Sequence, residues 1–210
     1  MRFPDHSTHF QLIGPAAGRR ARMPVALALS LVAIFALGAA APPQRFLKPC
    51  PAPFDRLLSE SVFRGYPVSV VQSAKKPASP DVRHGKARLY RNAIREGSKQ
   101  GPNFANHFTV VTIGCGAATA CLAIVDARTG QVYFPPELSS AEALLVDTGN
   151  FDVRPFNYRR ESRLLIVVGS PNQKQGRAGV SYYLWRSNKL NLIRFEPAAK
   201  ICGLPASTRF

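Results

Sequence analysis

Short runs rich in β-branched and aromatic residues, separated by turn residues, fill the second half of this sequence. HFTVVTIG begins the series, and CLAIVDA and GQVYFP follow as two arms around a turn at residues 126–130. Asp126 starts that turn, and Gly130 stands where a hairpin with a bulge needs a positive φ. RLLIVVGSP, VSYYLWR and KLNLIRFE repeat the scheme, with a tight turn at Ser187 and Asn188 between the last two. Each half therefore predicts a three-stranded antiparallel meander, at about residues 108–134 and 164–195.

The residue composition favours strands over long helices. The 18 prolines and 15 glycines among 210 residues interrupt helices and promote turns. We therefore predict an α+β fold of mostly antiparallel β meanders and hairpins with one amphipathic helix. The two similar halves suggest a sandwich-like or propeller-blade-like arrangement, although two units are too few to close a propeller. Between the halves, a capping-box pattern at residues 139–142 predicts one further short helix.

The amphipathic helix is predicted to begin at Lys86. At about 100° per residue, its apolar residues occupy one half of the helical wheel, and its cations fall within an arc of about 80° on the opposite side. Gly97 or Gly101 can end the helix, and Pro102 prevents its continuation. We expect the cations to be exposed and to form a continuous positive strip that binds an anionic ligand. The apolar residues are Ala87, Leu89, Tyr90, Ala93 and Ile94, and the cations are Arg88, Arg91, Arg95 and Lys99.

The first 41 residues have the organisation of a targeting segment. A basic cluster at residues 19–22 precedes an uncharged apolar stretch at residues 24–41. This pattern is typical of a secretory signal peptide, with cleavage expected after Ala40. The apolar stretch is 18 residues long, so an uncleaved membrane anchor is the alternative. In both cases the positive flank stays inside, the domain is exported to the periplasm or beyond, and residues 25–37 form a helix without core contacts to the rest.

Residues 42–85 form a proline-rich segment without clear periodicity. We predict an irregular lead-in with at most one strand, near residues 68–71, that packs on the main domain through Cys50. The antiparallel domain with its N-terminal helix then covers residues 86–210.

Export determines how the four cysteines are interpreted. An even number in an oxidising compartment indicates disulfides, and four cysteines allow three connectivities. Cys115 and Cys121 are close in sequence among small residues, so a bend in a strand can bring them together. Cys50 and Cys202 would then tie the two ends of the exported chain. A metal site is not expected, because the gap between Cys115 and Cys121 is wider than zinc knuckles use and no second ligand pair follows.

Signatures of catalysis are missing from the sequence. It contains no G-x-S-x-G elbow, phosphate-binding loop, dinucleotide-binding glycine pattern or H-E-x-x-H. Only His84 and His107 remain after the targeting segment, and the acidic residues are scattered. We therefore assign no catalytic residue and expect no cofactor.

Residues 95–108, REGSKQGPNFANHF, resemble the R-E-G-A-K-x-G-P-N-F-A-G-H-Y run of an uncharacterised family of exported bacterial proteins. The resemblance continues through GCG at 114–116, AIVDARTGQVY at 123–133, SRLLI at 162–166 and YYLW at 182–185, and so covers roughly residues 86–195. Asn106 departs from the family's glycine, and Cys121 stands later than the family's C-G-x-x-C spacing. The resemblance implies export and a fold rather than an activity.

Asn103 and His107 are the candidate ligand-binding residues within that run. One interpretation is a polar ligand site where the helix meets the first strand, with Arg95 nearby. The other, which we favour, is a structural helix exit in which Asn103 caps backbone groups and His107 satisfies a buried carbonyl. Trp185, with the tyrosines beside it at 182 and 183, could stack on a carbohydrate, but alternating strand positions favour the core.

The charge balance indicates an anionic partner. The chain carries 28 Lys and Arg against 12 Asp and Glu, and removing residues 1–41 still leaves a net charge of +13. Because export makes nucleic acid a poor partner, we expect an anionic envelope polymer such as lipopolysaccharide or teichoic acid, or an acidic protein. Contact with a membrane is expected only through the N-terminal segment.

Three functions are therefore open. The first is an exported binding or inhibitor-like module for such a partner. The second is an envelope-acting enzyme that uses His107 with a nearby carboxylate. The third is a membrane-anchored structural protein of the envelope.

Overall fold

The fold is described from a computed structural model, for residues 48–50, 53–70, 76–144, 146–147, 153–174 and 176–203. All of these belong to the compact unit Arg45–Phe210. The predicted targeting segment at residues 1–41, with its helix at 25–37, lies outside the described residues. Within the described residues, every helix is too short or too polar to cross a membrane.

The described residues form a β-rich α+β fold around an eight-stranded sheet in which every strand pairing is antiparallel. The strand order is β10-β9-β8-β5-β3-β2, with β4 paired to β3 and β7 to β8, while β1 and β6 form a separate short parallel pair. The strands are β1 (Lys48–Pro49), β2 (Phe108–Gly116), β3 (Thr119–Asp126), β4 (Val132–Tyr133), β5 (Ser140–Ala143), β6 (Val146–Asp147), β7 (Phe156–Tyr158), β8 (Leu164–Pro171), β9 (Gly179–Arg186) and β10 (Lys189–Pro197). The helices are α1 (Phe54–Leu57), α2 (Glu60–Arg64), α3 (Gly85–Leu89), α4 (Arg91–Ser98) and α5 (Ala198–Ile201).

Both predicted meanders are confirmed, as β2-β3-β4 and β8-β9-β10. In the first, Gly130 has a φ of +79° and its N–H donates to the carbonyl of Asp126, while the Asp126 side chain accepts the N–H of Arg128. In the second, Ser187 and Asn188 have φ values of 51° and 59°, the left-handed pair that a two-residue hairpin turn requires.

The hydrophobic core follows the two-residue period of the strands. Leu165 and Val167 of β8 join one large cluster on a shared face of the sheet, which also takes in Phe108 and Trp185. The intervening β8 residues face the other side and pack with α1 and α2. The other side of β2 and β3 packs with α3 and α4. The helices therefore cover the sheet on the face opposite the large cluster, at two separate places.

Both predicted disulfides are confirmed. Cys50 and Cys202 are bonded with their Cα atoms 4.5 Å apart, and Cys115 and Cys121 with theirs 5.8 Å apart. The first joins positions separated by 152 residues within the cluster beneath α1 and α2. The second links β2 to β3 close to the turn between them.

The prediction of one continuous helix from Lys86 is wrong. Tyr90, with φ −100° and ψ 19°, ends α3 and begins α4. Ala87 and Ile94 are buried as predicted, but Leu89 is 77% exposed. At about 100° per residue, Leu89 lies about 200° from Ala87, on the far edge of the apolar half, so the sheet covers Ala87 and Ile94 without reaching it.

The lead-in and the capping-box segment also differ from expectation. Residues 54–64 form α1 and α2, whose Phe54 and Phe63 are buried against β8 and β9, and residues 68–70 are not in a strand. The predicted helix at 139–142 is instead β5, inserted between β3 and β8. Asn172, which directly follows β8, accepts the N–H of Ser139 through its side-chain Oδ1 at 2.8 Å. The distant Asn172 therefore contacts the segment that was predicted to form its own helix cap.

Candidate functional site

The cations of α3 and α4 are exposed on the protein surface. Arg88 lies on α3, Arg91 and Arg95 lie on α4, and Lys99 follows at its C-terminus. All four are exposed, which confirms the expected exposure. We call these four residues the basic face.

The orientation of the basic face is set by burial on the other side of α4. Ile94 is fully buried against β2 and β3. Gly97 lies so close to β2 that a Cβ there would stand 2.7 Å from the Val111 side chain. Because α4 is held this tightly, Arg91 and Arg95 must project away from the sheet.

The cations of the basic face differ in their partners. Lys99 Nζ contacts Glu96 Oε2 at 2.5 Å, so part of its charge is compensated. Arg88, Arg91 and Arg95 have no ion-pair partner among the residues that the structure describes. Three uncompensated guanidinium groups therefore remain on this surface.

Asn103 acts on the backbone. Its Oδ1 accepts the N–H of Val110 at 2.8 Å, and its Nδ2 donates to the Val110 carbonyl at 3.2 Å. Its own N–H donates to the carbonyl of Phe108. This confirms the structural interpretation of Asn103, because both ends of its side-chain amide are used to hold the start of β2.

His107 lies beside a carboxylate. Its Nε2 is 3.8 Å from Asp126 Oδ1, its ring stacks on Phe108 with centroids 4.2 Å apart, and its Nδ1 is buried. The expected bond to a buried carbonyl is wrong, since Nδ1 has no hydrogen-bond partner in the described part of the chain. Burial lowers the pKa of His107, the nearby Arg128 lowers it further, and Asp126 opposes both. The imidazole is therefore neutral at neutral pH.

His107 lines a cleft of about 310 Å³ at the end of the β9–β10 hairpin. Phe108 and Trp185 are the buried aromatic residues of its lining, and Arg163 and Arg186 are exposed cations beside them. No Asp or Glu is among the described residues that line it. The lining is completed by Val68, Ala105, Asn106, Ser187 and Asn188.

The cleft lining contains one of the predicted site residues. His107 is among the described residues that line it, whereas Asn103 and the four residues of the basic face are not. Sequence reasoning missed Arg163 and Arg186. Arg186 directly follows Trp185, which signals a cation at the end of a core strand. No local pattern marks Arg163, which reaches the cleft because β8 pairs with β9.

The aromatic residues of β9 belong to the core. Trp185 is 4% exposed and packs edge-on against Phe108 with ring centroids 5.3 Å apart. Tyr182 and Tyr183 are also buried, on opposite sides of the sheet.

In the described ranges, no group of three His, Cys, Asp or Glu side chains is placed to hold a metal ion.

Comparison of the chain with models of protein families, with curated proteins and with solved structures finds no match.

Proposed function

We propose that this protein is an exported binding module that docks on an anionic envelope polymer through its basic face. The observation that carries the proposal is the exposure of Arg88, Arg91 and Arg95 without ion-pair partners among the described residues. Burial of Ala87 on α3 and of Ile94 on α4 holds these side chains outward, so the charges are presented before a partner arrives. A preorganised set of like charges attracts an extended polyanion more strongly than it attracts a single carboxylate.

Export is the second part of the proposal. Two disulfides are compatible with an oxidising compartment such as the periplasm or the cell exterior. The apolar stretch behind a basic cluster in the first 41 residues supplies the route. The polyanions of that compartment are lipopolysaccharide and teichoic acid, and their negative charge complements the positive charge of the basic face.

Direct binding to immobilised lipopolysaccharide and lipoteichoic acid tests the proposal. The test variant replaces Arg88, Arg91 and Arg95 with Gln. Each cation near an anionic surface contributes about 1 kcal/mol, so the triple variant should bind about 100-fold more weakly. Binding by the unchanged protein should also weaken with salt, because the Debye length falls from about 10 Å at 0.1 M to about 3 Å at 1 M.

A charge-matched control separates local docking from net charge. Arg56, Arg64 and Lys200 are exposed cations on α1, α2 and α5, and replacing all three with Gln removes the same charge elsewhere on the surface. The control variant should bind within about threefold of the unchanged protein, since long-range attraction is mostly screened. Equal losses in the two triple variants would contradict docking through the basic face.

An envelope-acting enzyme is the second candidate, supported by the 3.8 Å approach of His107 to Asp126 beside a cleft. It ranks below binding because Asp126 Oδ1 already accepts the N–H of Arg128, and His107 Nδ1 contacts no hydroxyl among the described residues. Turnover of peptidoglycan fragments that is lost in His107→Gln, with lipopolysaccharide binding intact, would reverse this order.

We also propose that the two meanders face each other in a sandwich-like arrangement rather than as adjacent propeller blades. Phe108 of β2 and Trp185 of β9 are separated by three strands in the sheet order, yet their rings pack 5.3 Å apart. Strong curvature of the sheet accounts for this contact.

A further inference from the structure

The cleft beside His107 has features that the basic face does not explain. Its volume of about 310 Å³ is at the small end of the range for ligand sites, about 300–1,000 Å³. The cleft is lined by both apolar or aromatic side chains and polar side chains, as are most small-molecule sites. The apolar part consists of Val68, Ala105, Phe108 and Trp185.

The charged groups of the cleft are all of one sign. Arg163 and Arg186 are exposed, and neither has an ion-pair partner in the described ranges. Asp126 Oδ1 lies 3.8 Å from His107 Nε2, but Asp126 is not among the residues that line the cleft. Guanidinium groups bind planar carboxylates and phosphates through two parallel hydrogen bonds.

The backbone around the cleft is held in an uncommon conformation. Ala105 and Asn106 have φ values of +41° and +75°, a left-handed pair that non-glycine residues seldom adopt. Their N–H groups are fixed by the carbonyls of Ser162 and Arg160, at 3.2 and 2.7 Å. Residues held in this way cluster at functional sites.

We infer that this cleft is a second binding site, for a small organic anion in which a carboxylate or phosphate is attached to a flat apolar ring. The ring lies against Phe108 and Trp185, and the anion pairs with Arg163 and Arg186. His107, neutral and with an unpartnered Nδ1 among the described residues, supplies a further polar group at the wall. The site is separate from the basic face, so it does not depend on polymer docking.

The protein carries its own reporter for this site, because Trp185 is the single tryptophan of the chain. We propose a tryptophan fluorescence titration of the full-length protein with benzoate, phenyl phosphate and benzamide. Benzoate and phenyl phosphate distinguish a carboxylate ligand from a phosphate ligand, and benzamide is the uncharged match to benzoate. At least one anion should change the emission saturably and bind at least 10-fold more tightly than benzamide.

Two variants test the assignment of the cations. Arg163→Gln and Arg186→Gln should each weaken binding of the preferred anion about 10-fold, and Arg163→Lys should restore only part of the loss because it lacks the guanidinium fork. Both side chains are exposed, so the fold should persist, which far-UV circular dichroism verifies. Arg91→Gln, an equal loss of charge on the basic face, should bind the anion unchanged.

Three results would overturn the inference: no saturable response to either anion, equal binding of benzamide, or unchanged binding in both arginine variants. Lipopolysaccharide binding by Arg163→Gln gives an independent readout. Its retention with loss of anion binding establishes two sites. Loss of both activities in a folded variant would place the polymer and the anion at one surface and refute the separation proposed here.

Discussion

Replacement of Asn103 with Ala should destabilise the protein without weakening ligand binding. Asn103 satisfies both the N–H and the carbonyl of Val110, at 2.8 and 3.2 Å, and Val110 is only 3% exposed. Leaving one buried polar group unsatisfied costs about 1–3 kcal/mol, and Asn103→Ala leaves two such groups, the N–H and the carbonyl of Val110. Partial access of water at this half-buried position favours the lower values for each group. We expect the free energy of unfolding to fall by about 2–4 kcal/mol.

Thermal and urea unfolding, followed by circular dichroism with the disulfides intact, measure this loss. For a chain of this size, 1 kcal/mol corresponds to about 2–4 °C, so Tm should fall by about 5–15 °C. Asn191→Ala is the matched control, since Asn191 is exposed on β10, and its effect should stay within about 0.5 kcal/mol.

Two results would refute the reasoning about Asn103. A loss of stability no larger than that of the control would mean that its hydrogen bonds to Val110 do not hold β2. Normal stability together with lost binding of lipopolysaccharide or of the small anion would make Asn103 a ligand-binding residue. Binding is therefore measured well below the Tm of the variant.

Three further predictions follow from burial, covalent structure and ionisation. Ile94→Ala should lower the unfolding free energy by about 2–5 kcal/mol, because Ile94 is fully buried. In the same urea titration, Leu89→Ala should change the unfolding free energy by less than about 0.5 kcal/mol, because Leu89 is exposed. Equal effects of the two substitutions would contradict the assigned orientation of the two helices. Replacing Cys50 and Cys202 together with Ala should cost about 2–5 kcal/mol, since this disulfide closes a loop spanning 152 residues, and an unchanged urea midpoint would contradict it. Burial lowers the pKa of His107 in the folded state, so the unfolded state binds the proton more readily. The free energy of unfolding should therefore fall as the pH drops below 6.5, the ordinary pKa of histidine. Unfolding measured at several pH values should show a weaker fall in His107→Gln.

The strands were predictable because their signals are local. Runs of β-branched and aromatic residues, together with the turn residues Asp126, Gly130 and Asn188, determine the hairpins within a few residues of chain. The disulfides were also predictable, since two cysteines near one turn leave one remaining pair.

The elements that sequence reasoning missed depend on distant partners. β5 is only four residues long, and its conformation is decided by pairing with β3 and β8 and by Asn172, more than 30 residues away. Helices α1 and α2 have too few residues for a period to show, and burial of Phe54 and Phe63 stabilises them. Without these contacts the sequence indicates only a proline-rich segment.

The two candidate sites also differ in whether a local sequence pattern predicts them. The exposure of the basic face follows from helical period and could be predicted. The cleft joins Val68, His107, Arg163 and Arg186, which are far apart in sequence and meet only through the sheet topology. A single sequence offers no local pattern for such a set.

The ratio of the dissociation constants of the two charge-matched triple variants for lipopolysaccharide tests the central claim most directly. Both variants lose three positive charges, so their difference measures the position of the charges alone. Docking through the basic face predicts that the Arg88, Arg91 and Arg95 variant binds at least 30-fold more weakly than the Arg56, Arg64 and Lys200 variant at about 0.1 M salt. A ratio near one, with both variants folded, would contradict the claim.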